Sequence, residues 1–144
     1  MKGQLNMKRL LLAMLIVAAP AMAQTKSQPI DMTVVLHDDN GRALKDPMDA
    51  TPDDPKCAHC RDLTLGRAAA HALFGSYPDE RSLSGDDKWA RGLLAGRIRD
   101  AKKAELSAEE VTLLKKLIAE MYGPVVIVQA FPALDPNALP PKVH

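Results

Sequence analysis

Only one stretch of this chain alternates apolar and polar residues with the period of a strand, and that feature most narrows its fold. Ile30, Met32, Val34 and Leu36 fall on one face, with Asp31, Thr33 and Val35 between them. Asp38-Asp39-Asn40-Gly41 follows at once with residues that tolerate positive φ, and Arg42-Ala43-Leu44 can return as a short partner strand. Two strands are not stable alone, so this hairpin must lay its apolar face on helices. The predicted class is therefore α+β: a short N-terminal β-hairpin packed on three or four short α-helices.

The helices announce themselves through caps and spacing. Leu65, Ala69, Ala72 and Leu73 share one helical face, and Gly75 ends that run. Ser84, three residues before Asp87, is the N-cap of a helix predicted to reach about Lys103. Its expected buried stripe is Trp89, Ala90, Leu93, Leu94, Ile98 and Ala101 with the stem of Arg97. Ser107-Ala108-Glu109-Glu110 is a capping box, with Leu106 placed to staple onto Val111. Val111, Leu114, Ile118 and Met121 follow at helical spacing, and Leu117 widens the stripe. Gly123-Pro124 stops that helix, and Val125 to Ala130 is too apolar to lie in solvent. Pro124 at a first helical position speaks for a helix there and the β-branched run for a strand; the continuation Gln129-Ala130-Phe131 favours the helix. Asp46 to Lys56, with three prolines and four acids, reads as a loop. The predicted domain spans 30–134, between a disordered linker at 24–29 and a disordered proline-containing tail at 135–144.

Ahead of the domain, Lys8 and Arg9 precede the apolar run Leu10 to Ala19, then Pro20 and the small-residue triplet Ala21-Met22-Ala23. This order is that of a secretory signal peptide over 1–23. Leu10 to Ala23 would span about 21 Å as a helix against a bilayer core of about 30 Å, so cleavage is expected rather than anchoring. The expected compartment is the periplasm or the exterior, with no membrane contact after cleavage; translation from Met32 would instead leave the chain cytoplasmic. Position 24 is Gln, so no cysteine is there to carry a lipid. Overall charge is nearly balanced, Lys+Arg 19 against Asp+Glu 18. Three of those cations lie before residue 24, so nucleic acid is not an expected partner.

Chemistry concentrates at Cys57-Ala58-His59-Cys60, whose spacing lets both sulfurs face one metal ion or each other. Covalent haem would need His directly after the second cysteine, where Arg61 stands. A thioredoxin-type site would need a βαβ framework that the sequence lacks. Zinc could recruit His71, with His37, His59 or a loop Asp as fourth ligand, but no second C-x-x-C or H-x-x-x-H supplies the other half-site. A local Cys57–Cys60 disulfide is the favoured reading and fits an exported chain. His71, on an alanine-rich helix, is read as a partly buried structural histidine before it is read as a ligand or base. Placing Gly41 at the invariant glycine of a calcium loop puts Leu36 at the first ligand position and Pro47 at the last, which excludes an EF-hand. No G-x-S-x-G elbow or Gly-rich phosphate loop is present, and no cofactor is expected unless it is zinc. Arg97, Arg99, Lys102 and Lys103 suit the C-terminal end of their predicted helix.

Leu63-Thr64-Leu65-Gly66 with Ala72-Leu73, the Ser84 to Lys88 helix entry, Glu105 to Val111, and Tyr122-Gly123-Pro124-Val125-Val126 with Gln129-Ala130 together resemble small uncharacterised proteins of tailed bacteriophages and prophages, over about Met32 to Leu134. That resemblance implies the same Asp39-Asn40-Gly41 hairpin and no established activity, so no site residue is carried over from it. The signal peptide departs from its pattern, and Pro132 interrupts a segment where helix would continue. The sequence thus points to a small exported, non-enzymatic interaction or accessory protein with an unidentified protein partner. The alternative is a zinc or thiol-redox module centred on Cys57 and Cys60.

Overall fold

A computed structural model describes residues 28–140 and 142, so the segment read as a signal peptide lies outside the described residues. The fold is the expected α+β one, a short antiparallel hairpin packed against four helices. Strand β1 (Ile30–Asp31) and strand β2 (Lys103–Ala104) form a two-stranded antiparallel ladder, and the helices are α1 (Leu65–Phe74), α2 (Gly85–Ile98), α3 (Ala108–Met121) and α4 (Pro124–Leu134).

Beyond β1, the hairpin closes as its turn residues require. Asp38 Oδ1 accepts the amides of Asn40 and Arg42, and Gly41 takes φ +76°, a conformation that disfavours a side chain. His37 then bridges Ala43, and the Leu44 amide donates to the Leu36 carbonyl at 2.8 Å. A third extended segment seals the pair, because Leu63 donates to Leu44 and accepts from Leu36. Met32 and Leu36 are fully buried, but no continuous strand joins them as the period-2 pattern predicts, because β1 stops at Asp31, Met32 and Thr33 form a turn, and Val34 is only half-buried.

Helix α1 is the centre of the fold. Every residue from Leu65 to Leu73 is buried, which is the behaviour of a helix enclosed on all sides. Alanines make this possible, since thin side chains let α2 and α3 approach its axis from different directions. Closest approach occurs at Gly66, where an added Cβ would stand 2.5 Å from the Ile98 carbonyl oxygen and 3.1 Å from Met32 Cβ. Thr64 caps this helix at the Arg67 amide, and Ser84 caps α2 at the Asp87 amide.

Helix α3 carries the predicted capping box in full: Ser107 Oγ accepts from the Glu110 amide, and Glu110 Oε2 accepts from the Ser107 amide at 2.9 Å. Leu114, Leu117 and Ile118 are its buried residues, whereas Met121 is exposed. Pro124 opens α4 as a helix rather than a strand, burying Val126, Ala130 and Leu134. Pro132 sits in the last turn on the exposed side, so the helix runs past it to Leu134.

Two expectations about α2 are corrected. It ends at Ile98, not near Lys103, because Lys103 and Ala104 leave the helix to pair with Asp31 and Ile30. Its buried residues are Leu94, Ala95 and Ile98, whereas Trp89 and Leu93 face solvent. The helix is turned by roughly 100°, one residue, from the predicted stripe. The reason is tertiary: α2 meets α1 along Leu94, Ala95 and Ile98, which leaves Trp89 and Leu93 on the outer side of the helix.

Candidate functional site

The proline-containing segment 46–62 is a loop, yet its first residue is the most deeply buried acid of the chain. Asp46 opens a 3-10 turn at Pro47–Asp49, its Oδ1 accepting the Met48 amide at 3.0 Å. Its own amide donates to the Arg61 carbonyl, so the two ends of the loop are tied together. Asp46 is 0% exposed and Arg67 of α1 is 5% exposed, and they pair at 2.8 Å through Oδ2 and Nη1. The other guanidinium nitrogen reaches Asp100 at 2.6 Å. Asp49 is held by Arg61 through two short hydrogen bonds, at 2.8 and 2.6 Å, and these keep its carboxyl well below the usual carboxylate range.

His71 lies one turn beyond Arg67 on the same face of α1 and is also buried. Its Nδ1 is 3.2 Å from the Tyr122 hydroxyl, and its Nε2 is 3.4 Å from Asp46 Oδ1, a charge contact not aligned as a hydrogen bond. Burial lowers the His71 pKa, opposed by the Asp46 charge, so the neutral ring is favoured. Burial likewise pushes the Tyr122 hydroxyl above its ordinary value, with Asp46 adding to the shift. An Asp–His–Tyr relay is suggested by these distances, but the imidazole is closed off from solvent. The arrangement satisfies the charges of the core rather than offering a reacting atom to a substrate.

Cys57 and Cys60 are joined as a disulfide, with their Cα atoms 4.7 Å apart. Cys60 is buried and Cys57 half-buried at φ +55°. The Asp54 carboxylate accepts the amides of Ala58 and His59, holding the connecting residues in a tight turn. Cys57 Sγ lies 3.6 Å from the Asp46 carbonyl oxygen; an oxidised sulfur has no proton to donate, so this is a packing contact.

These placements disfavour the alternative zinc reading at Cys57, Cys60 and His71. His71 is engaged with Asp46 and Tyr122, His37 is clamped through its backbone by the Gln129 side chain, and His59 is exposed. Among the described residues no group of three or more His, Cys, Asp or Glu could hold a metal ion. The sequence reading missed Asp46 and Arg67. The available signal was a lone arginine four residues before His71 on an otherwise alanine-rich helix, which demands a carboxylate from elsewhere once that helix is enclosed.

Elsewhere a cleft of about 440 Å³ lies between the end of α1, the turn at Pro78–Glu80 and the start of α2. No helix of the described residues is long and apolar enough to cross a membrane. Compared with protein-family models, curated proteins and solved structures, the chain matches none.

Proposed function

We propose that this chain is a small exported accessory domain, of phage-derived ancestry and without enzymatic turnover, in which the Cys57–Cys60 pair is a thiol–disulfide element controlling the loop around it. The observation that carries this reading is the position of the bond. Cys57 packs on the backbone of Asp46, the buried acid to which α1 is tethered. Reduction by a dithiol would add two electrons and two protons, break the S–S bond and leave two thiols, the dithiol becoming a disulfide. The loop would then lose a local closure worth about 2 kcal/mol in the chain-entropy model, while the helices would keep their packing.

Limited trypsin digestion tests this. Lys56 and Arg61 are exposed cleavage points flanking the pair. Native protein reduced with excess dithiol should be cut there about tenfold faster than oxidised protein, with unchanged far-ultraviolet circular dichroism. Equal cleavage rates would overturn the reading. A second reading, in which a protein-facing surface is the working part, is favoured by α2, whose Trp89 and Leu93 stand 69% and 57% exposed one turn apart.

A further inference from the structure

We infer that the cleft between α1 and α2, continued onto the Trp89 face, is a docking site for an acidic peptide segment of a protein partner that also carries an apolar side chain. This deepens the protein-facing reading above and rests on it. The cleft is walled by Leu73, Phe74 and Leu83 and rimmed by Arg81, Lys88 and Arg91. Phe74, at the last position of α1, is 55% exposed, an unusual outlay of aromatic surface for a chain with so few aromatic residues.

The charges decide what the apolar wall can receive. Glu80 is the one acid lining the cleft, and it is consumed by Arg91 through hydrogen bonds of 2.5 and 2.6 Å. Arg81 and Lys88 have no carboxylate within 4 Å among the described residues. The cleft therefore carries two uncompensated cations over an apolar floor, and its complement is a carboxylate pair beside an apolar group. A volume of about 440 Å³ takes one or two side chains rather than a folded element.

Gly92 extends the site. It lines the cleft, and nothing stands within 4 Å of where its Cβ would be. Trp89 lies about 60° further round α2, so no side chain at Gly92 separates the cleft from the indole. Two cations are too few for a phosphate backbone, whose binding rests on many neutralised charges. A flat anionic lipid surface would have to face Asp86 and Asp87, exposed in the first turn of α2, together with the cations, whereas a peptide seated in the cleft can place its carboxylates at Arg81 and Lys88 alone. A peptide with two carboxylates satisfies both constraints.

Trp89 is the only tryptophan of the chain, so its emission reports on the site directly. The full chain should be titrated with a dye-free octapeptide bearing two aspartates around a central leucine, and with its asparagine counterpart. The acidic peptide is expected to shift Trp89 emission with a Kd in the range of about 1 to 100 μM, weakening with salt, and the amide peptide to bind about tenfold more weakly. Arg81→Ala/Lys88→Ala, two exposed positions, should remove that preference without changing the far-ultraviolet spectrum. Equal binding of both peptides, abolished by a Phe74→Ala variant, would overturn the acidic partner but keep a protein-facing surface. No response to either peptide up to about 1 mM would overturn both. Tighter response to a single-stranded oligonucleotide or to phosphatidylglycerol vesicles than to the acidic peptide would overturn the proposal in favour of that ligand.

Discussion

Helices α1 and α2 lie against each other and invert the usual assignment of residues to core and surface. Along α1, Arg67 and His71 are buried; along α2, Trp89 and Leu93 are exposed. The difference lies in what surrounds each position. The buried face of α1 meets a loop that delivers Asp46, so a guanidinium and an imidazole find a charge waiting for them. Among the described residues the outer face of α2 is left mostly open, and its apolar side chains are left over once Leu94, Ala95 and Ile98 have met α1. Position in the fold overrides residue type wherever a partner is supplied or withheld.

The largest expected effect breaks the buried side of this comparison. Asp46→Ala leaves the Arg67 guanidinium enclosed without its fully buried carboxylate partner, and removing one member of a buried ion pair costs about 3–5 kcal/mol. Chemical denaturation of the variant measures it. A loss under about 1 kcal/mol would mean that Asp100 and Asp49 suffice for Arg67 and that the loop is not fastened through Asp46.

Legibility followed the same division. The caps at Ser84 and Ser107 and the first-turn Pro124 act on backbone groups within three residues of themselves, so the starts of α2, α3 and α4 are read locally, whereas the sequence reading missed the equivalent cap of α1 at Thr64. The hairpin turn at Asp38 to Gly41 and the pairing of Cys57 with Cys60 are equally local. What escaped the sequence depends on remote partners. Arg67 finds Asp46 at a separation of 21 residues and Asp100 at 33. Lys103 and Ala104 abandon α2 for partners 72 and 74 residues earlier in the chain. The buried face of α2 was misjudged because a Trp and two leucines advertise a stripe that only the shape of α1 could accept or refuse.

A smaller effect concerns His71 and pH. Its pKa in the fold lies below the ordinary value of 6.5, mainly because of burial, while Arg99 and Arg67 press it down and Asp46 and Asp49 resist. On acidification the unfolded chain therefore takes up this proton before the folded one does. The His71 contribution is complete above pH 6.5 and is lost as pH falls from there towards the folded-state pKa. Urea denaturation at pH 7.5 and 5.5 should show lower stability at the acid value, and His71→Gln should flatten the difference. An unchanged slope in the variant would place the titrating group elsewhere.

The smallest expected effect tests the exposed side, where the prediction is near silence. Leu93→Ala should change stability by no more than about 0.5 kcal/mol, because the side chain is mostly in water in the folded and unfolded chains alike. Truncating the fully buried Ile118 of α3 should cost about 2–5 kcal/mol, since there a cavity replaces packed atoms. The ratio between the two variants matters more than either value, because both remove aliphatic carbons from fourteen-residue helices capped by a serine. A Leu93→Ala loss near that of Ile118→Ala would show that the outer face of α2 is covered in solution, by a second copy of the chain if the loss grows with protein concentration. A near-zero loss leaves Trp89 and Leu93 as surface whose retention folding alone does not require.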